Sequence, residues 1–498
     1  MDSSVKSKRR AAKNADMTEG GIFGKFVAYA LPFMLTNLLQ VLYNAADIVV
    51  VGLSHEADAV GAVGTTTAFV NLITGLFIGC SLGAEVVISR AVGRKDGAET
   101  ENAVHTALLF GVIFGAFCGV LGFFLAKPVL ALMGNEAKLL ELASVYTRIY
   151  FLGLPVIALT NFAVAVLHAE GDSKTPFVVL TLSGVVNVIL NLALVLVVDL
   201  SVEGVAIATV VANAVSAVLL IARLLKDKTA CRLRLKKLRI HMKTLGRIVE
   251  VGFPAAVQSS LFSLSNMLIQ SSIVKVNNAV AGAEAAYQPV VKGNSACSSV
   301  EGFIYTVIDS VGKASVSFVG QNAGAKKYDR LSEFLKIAYL TSFVVGVISP
   351  AIVLLLRNPL LALYGVRPAG LDKTASDPAV TRMLIMFVPY FTIAFMQLGS
   401  GVLQGLGKAV SASVSSLIGA CLFRVIWIFT VFAAKPTIEI IYLSYPISWV
   451  LVALSHLIMI RKTLKKLRAS ASETAEEGKA ANENAETAAE AAISVDKK

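Results

Sequence analysis

Apolar residues in this chain fall into recurrent blocks, each about as long as a helix that crosses a bilayer, with short polar connections between them. The blocks predict spans near 26–52, 60–88, 104–126, 143–167, 176–198 and 203–225, and a second set near 248–273, 299–319, 334–356, 380–404, 409–433 and 438–460. The expected fold is an all-α membrane protein of about twelve transmembrane helices.

The two sets read as copies. Lys127-Pro-Val-Leu-Ala-Leu-Met-Gly134 closes the third span and Asn358-Pro-Leu-Leu-Ala-Leu-Tyr-Gly365 the ninth. Ala91 to Ala98 after the second span echoes Val319 to Ala325 after the eighth, and Leu31-Pro32 matches Phe253-Pro254. Because each copy holds six spans, both enter the membrane from the same side, which predicts two pseudo-symmetric six-helix lobes with a cavity between them. The expected organisation is a polar basic tail (1–21), an N-lobe (22–225), a basic linker (226–247), a C-lobe (248–465) and a disordered tail (466–498), the last rich in Ala, Glu, Ser and Asn.

Composition agrees with a bilayer as solvent: 56% hydrophobic, 16% charged, mean hydropathy +0.72. The net charge of +12 resides in the connections, and no stretch interleaves bases with aromatics as a single-strand nucleic-acid platform would, so nucleic acid is set aside. Arg90, Arg94, Lys95, Lys174 and the run from Lys226 to Lys243 lie on one side, while Glu56, Asp58, Asp199, Glu203 and Glu284 lie on the other. The positive-inside rule then places both termini and the central linker in the cytoplasm, with the linker drawn to anionic lipid. Five cysteines without CxxC or a histidine cluster support neither zinc nor a disulfide framework.

Ionisable groups inside a span are costly, about 2.5–3.5 kcal/mol at a helix centre on insertion scales, so each is a candidate for function. Asp47 lies in the first span, with Gln40, Tyr43 and Asn44 on the same helical face. The fifth span carries Ser183, Asn187 and Asn191 at i, i+4, i+8, the sixth Thr209, Asn213 and Ser216, and the fourth Tyr146 and Tyr150. Such a set of oxygens suits a hard cation, and Asp47 is equally a candidate proton carrier. The second lobe offers Gln258, Ser259, Asn266 and Gln270 in the seventh span and Gln397 and Gln404 in the tenth, while Asp309 and Lys313 are spaced to pair within the eighth.

Leu31-Pro32, Gln40, Tyr43-Asn44, Asp47 and Val51-Gly52, followed by Glu170-Gly-Asp-Ser-Lys-Thr-Pro176 and Gly320-Gln-Asn-Ala-Gly-Ala325, together resemble the multidrug and toxin extrusion (MATE) family, on its bacterial DinF-like side. The resemblance spans residues 22–465. It implies export of amphipathic, often cationic compounds in exchange for sodium ions or protons, with no cofactor beyond that coupling ion. It also implies a cation-coupling set of Asp47, Asn187, Asn191, Thr209 and Tyr146, with Gln40 and Tyr43 toward the substrate cavity, to which the polar positions Asn44, Gln258 and Asn266 are expected to add. Archaeal and DinF-like members carry an Asp where Asn191 stands, and Phe262 stands about where some members carry a seventh-helix Glu, so a second-lobe sodium site is not expected. The expected partners are small amphipathic molecules and the lipid bilayer, the expected state a monomer, and the expected location a bacterial plasma (inner) membrane.

The main rival is a flippase for lipid-linked saccharides, whose cavity would present several Arg or Lys to phosphates, whereas the mid-span positions read here offer little beyond Lys313. An enzyme is not expected: there is no HExxH, no GxSxG with a histidine partner and no paired carboxylates in one span.

Overall fold

The computed structural model describes residues 16–54, 56, 58–132, 137–282, 288–367 and 373–495. The first lobe comprises α1 (Ile22–Gly52), α2 (Ala59–Gly93), α3 (Gly97–Leu132), α4 (Ala137–Leu152), α5 (Leu154–Glu170), α6 (Lys174–Leu192) with a π-helical turn Ala193–Val197, and α7 (Val202–Leu225). The second comprises α8 (Met242–Ala281), α9 (Pro289–Gly324), α10 (Tyr328–Leu355), the short α11 (Arg357–Leu363), α12 (Lys373–Phe387) and α13 (Phe391–Gly405). It ends with α14 (Ala409–Ser416), the π turn Leu417–Leu422, α15 (Phe423–Trp427), the π turn Ile428–Phe432, and α16 (Ile438–Val495). No strand occurs among the described residues.

Among the described residues, nine helical stretches are long and apolar enough to span a bilayer. Two bent pairs, α4 with α5 at 51° and α12 with α13 at 53°, are one broken span each. Pro155 and Pro389 follow the last hydrogen-bonded turn at each break, and a proline ring cannot continue the preceding ladder. The twelfth span is α9, 36 residues long, whose apolarity is diluted by Glu301, Asp309 and Lys313. Both lobes bend their fourth span by nearly the same angle, and Lys95 after α2 and Lys326 after α9 share a left-handed backbone (φ 57° and 58°). The duplication read from the chain is thus carried into backbone detail.

One expectation differs. Residues 466–495, read as disordered, continue α16 as helix. Their Ala and Glu content, which made them read as too polar to bury, also gives them high helix propensity, so a helix and a polar tail share one composition.

The lobes meet through small residues. On α2, a Cβ at Gly79 would lie 2.6 Å from the Ala256 nitrogen and one at Gly83 2.2 Å from the Ile248 carbonyl of α8. At the end carrying the basic connections, a Cβ on Gly93 would stand 1.9 Å from the Gln321 carbonyl, and one on Gly324 2.2 Å from the Arg90 carbonyl. Gly93 and Gly324 each end their helix two residues before a left-handed lysine, Lys95 or Lys326, so α2 and α9 cross reciprocally, backbone on backbone. Phe26 of α1 closes the same end, edge-on to Phe318 and Phe334 at ring separations of 6.1 and 5.0 Å.

Helix α1 therefore straddles the lobes. Its first half (Phe26, Tyr29, Phe33) joins the core formed by α9, α10 and α13, while Val50 and Val51 join the core of the first lobe. Pro32 separates the halves, removing one rung of the helical ladder. Residues ahead of α1 are docked as well. The Met17 amide donates to Gln321 Oε1 at 3.0 Å, and Asn322, Lys327 and Arg330 donate to the carbonyls of Met17, Thr18 and Gly20 at 3.1, 2.9 and 2.7 Å. Gln321 also donates to the Ala169 carbonyl of the other lobe at 2.8 Å.

The linker lies against α3. His105 Nε2 accepts the Arg234 amide at 3.0 Å, Thr106 Oγ1 accepts the His241 amide at 3.1 Å, and Lys237 pairs with Glu101 at 3.2 Å. The linker's own Cys231 and Leu233 are buried. Burial opposes the charge of Asp227, but the Thr229 amide and the Arg223 guanidinium outweigh it and hold that carboxyl below its ordinary value.

Candidate functional site

Two polar centres lie within the spans. The first is built on α1 and α6. The four-residue spacing of Ser183, Asn187 and Asn191 aims all three inward, and each is buried. Asn191 Nδ2 donates to Asp47 Oδ1 at 2.5 Å and to Asn187 Oδ1 at 3.3 Å. Asn191 Oδ1 and Ser183 Oγ are buried polar atoms without a hydrogen-bond partner among the described residues. The π turn Ala193–Val197 begins two residues beyond Asn191; such widened turns recur at functional places in helices.

Tyr146 stacks on Tyr150 at 6.3 Å, and both lie within electrostatic reach of Asp47. The Tyr150 hydroxyl faces Thr74 Oγ1 at 3.5 Å. Thr209 does not join the chain of hydrogen bonds: its hydroxyl donates to the Val205 carbonyl at 2.9 Å, and Asn213 donates to the Thr209 carbonyl at 2.9 Å. No group of three His, Cys, Asp or Glu side chains suited to a metal occurs among the described residues.

Tyr43 donates to the Thr181 carbonyl at 3.2 Å and lies over Gly184, where a Cβ would fall 2.0 Å from its ring. Gly184→Ala is expected to displace that ring, break the bond and cost about 1–3 kcal/mol through overpacking. Thermal unfolding of the purified protein measures the loss, and adding Tyr43→Ala should recover part of it, since neighbouring substitutions couple. Additive losses would mean that the two residues do not touch.

The second centre is a cavity of about 650 Å³, on the far side of the glycine crossing from the basic connections. Gln258 and Asn266 line it, as do Gln270, Gln397 and Gln404. Gln40, Tyr43 and Asn44 are not among its walls; Gln40 and Asn44 are exposed on α1 and Tyr43 is occupied at α6. Lys313 and Asp309 form the pair their spacing predicts, at 2.8 Å, and Gln397 Nε2 donates to Asp309 Oδ1 at 2.6 Å.

The poverty of cations expected for these positions is corrected here. Arg382 of α12 and Arg424 of α15 both line the cavity. Arg382 pairs with Glu301 at 2.5 Å, donates to Asn294 Oδ1 at 2.6 Å and bonds Ser298; the Tyr390 hydroxyl donates to the other Glu301 oxygen at 3.3 Å. Arg424 Nε donates to Ser448 Oγ at 3.0 Å, and its guanidinium lies 4.2 Å from the Tyr445 ring centre. Glu85 of α2 is another buried acid that the pattern reading passed over; it accepts from Ser317 of α9 at 2.5 Å, across the lobe boundary. The signal for all four was available, a charged residue inside an apolar block, but Glu301 and Arg382 fall near the predicted span ends and read there as interfacial.

Comparison with known proteins places this geometry. The MatE family model matches residues 32–193 and 254–430, one segment in each lobe. Among similar proteins, the probable multidrug resistance protein YoeA of Bacillus subtilis is 28% identical over 347 residues, covering 68% of this chain and 72% of its own. The multidrug export protein MepA of Staphylococcus aureus is 22% identical over 415 residues, covering 82% and 87%. An outward-facing multidrug resistance MATE family transporter of the MOP superfamily superposes with a TM-score of 0.83 at 20% identity, over 92% of this chain and 99% of that one. The chain therefore belongs to the MatE family, the multidrug and toxin extrusion transporters, and is a multipass membrane protein.

Proposed function

We propose that this protein is a cation-coupled antiporter that exports amphipathic organic compounds across a bacterial plasma membrane by alternating access. The observation that carries the proposal is the course of α1. Asp47 near one end is held by the buried Asn191, and the other end, beyond Pro32, forms part of the seal between the lobes. Taking up or losing a cation at Asp47 changes whether the Asn191 amide has a charge to bind, and α1 is the helix that reaches from there, through Pro32, to Phe26. The basic end is read as cytoplasmic by the positive-inside rule, so the crossing of α2 and α9 closes the cavity inward and the cavity faces out. YoeA and MepA, both named for multidrug resistance or export, support the class of cargo.

Proton and sodium ion are the candidate couplers, and the geometry favours the proton. Asp47 is the lone carboxylate of its polar stripe, and its amide neighbour presents a donor to it rather than an oxygen. One charge entering across about 100 mV supplies roughly 2.3 kcal/mol, enough for a gradient of about 50-fold in a neutral solute.

Efflux from cells lacking their main exporters tests the proposal, with ethidium and a fluorescent zwitterion as dyes and membrane expression matched. The intact protein should lower retention of a dye, and Asp47→Asn should return it to the level of cells without the protein. Export unaltered by the substitution would remove Asp47 from coupling. A sodium gradient alone driving uptake into proteoliposomes would reverse the choice of ion.

The flippase reading gains from one observation, the three cations Lys313, Arg382 and Arg424 on the cavity wall. Two of them are neutralised by Asp309 and Glu301, which leaves one for a phosphate rather than several. Failure of every soluble dye, with lipid scrambling present, would establish it instead.

A further inference from the structure

Of the five charged side chains on the cavity wall, Arg424 alone has no partner of opposite charge within 4 Å among the described residues. The residue is buried, 4% exposed, inside the membrane, where a cation is costly. Its one hydrogen bond among the described residues runs from Nε, on the stem side, to Ser448. Tyr445 covers one face of the guanidinium. The two terminal nitrogens, which form the fork that grips a carboxylate or phosphate, make no hydrogen bond among the described residues. Glu301 lies within electrostatic reach but already accepts from Arg382 and Tyr390. The turn bearing Arg424 sits between two π-helical turns, Leu417–Leu422 and Ile428–Phe432, a distortion of the helix on either side of the one residue that needs a ligand.

We propose, resting on the transporter reading, that Arg424 receives an acidic oxygen group of the cargo. The cavity then selects amphipaths that carry a carboxylate or phosphate, alone or with a cation elsewhere in the molecule, over purely cationic ones. With Asp309 and Glu301 ionised, the wall carries three positive and two negative charges, so an acid at Arg424 balances it and a second cation does not. Trp449 and Tyr305 supply apolar and aromatic wall for the remainder of the solute.

Equilibrium binding tests this without a gradient, so its failure is separable from failure of coupled export. Purified full-length protein in phosphatidylcholine nanodiscs is titrated with dansylglycine or with dansylglycinamide, which lacks the acid, and energy transfer from tryptophan is read; Trp449 is one of two tryptophans in the chain and lines the cavity. The acid should bind tighter than the amide by about tenfold or more, the worth of one charge-assisted contact. Arg424→Gln should abolish the difference while still binding the amide, and Arg424→Lys should keep part of it. Where the Gln variant binds neither probe, the Lys variant decides: a retained preference supports the site, a lost one overturns it. Equal binding of acid and amide to the unaltered protein, or a preference that survives Arg424→Gln, overturns it outright. In a second arm, phosphatidylglycerol replaces part of the lipid. If it weakens dansylglycine binding in the unaltered protein alone, the same fork also takes a lipid headgroup; if it has no effect, the acid it serves belongs to a soluble solute.

Discussion

Arg382→Ala should lower the stability of the protein by about 3–5 kcal/mol, the cost of removing one member of a buried ion pair and leaving the other. The guanidinium is 8% exposed and ties α12 to α9 through Glu301, Asn294 and Ser298. Its loss strands the Glu301 carboxylate with a single Tyr390 hydroxyl inside a membrane span. A double substitution, Glu301→Gln with Arg382→Met, removes both charges at similar volume and should cost much less, because the desolvation of the pair disappears with it. Thermal unfolding of detergent-purified protein, followed by tryptophan fluorescence, distinguishes the two. A melting point unmoved by Arg382→Ala would show that the pair contributes nothing to holding α12 on α9.

Gly93→Val should prevent closure of the end that carries the basic connections. The nearest atoms to an added Cβ are backbone, the Gln321 carbonyl at 1.9 Å, and backbone cannot rotate aside as a side chain can. Valine adds two further methyl groups, so α2 and α9 must separate along the whole crossing. Spin labels placed at Ala98 and Glu333, both exposed beyond the crossing, report the separation as a longer distance distribution. The five native cysteines are all buried, which keeps labelling at the introduced sites. Transport should fall with it: under the orientation proposed above, a carrier held open at this end does not release outward. An unchanged distribution would mean that the lobes yield elsewhere and that Gly93 does not set the closed state.

The spans were legible because a bilayer imposes both length and apolarity, and the duplication was legible because Pro and Gly recur at matched places, such as Pro128 and Pro359. The bond between Asp47 and Asn191 was foreshadowed by periodicity: a buried acid on one helix, and amides every fourth residue on another, have few ways to pack in lipid except facing each other. Other features were hidden. Which of 37 glycines touch a neighbouring backbone depends on crossing geometry, not on local pattern, and glycine is common in membrane helices anyway. Glu301 and Arg382 are 81 residues apart and reveal their kinship only when α9 and α12 are side by side. The cavity could be guessed to lie between the lobes, but its displacement toward the second lobe, away from Gln40 and Asn44, follows from α1 lending its first half to the second lobe's core.

Beside the packing of α2 on α9, the lobes are joined at the basic end in two unlike ways. Residues 226–241 ride on α3, so the covalent path crosses to the second lobe only where His241 enters α8. The other junction, Met17 to Gly20 with Gln321, Asn322, Lys327 and Arg330, consists of hydrogen bonds. A chain cannot part at the first without being cut, whereas the second can be undone one bond at a time. The basic end is therefore built like a door, hung at His241 by the chain itself and latched at Met17 by bonds that can be made and remade.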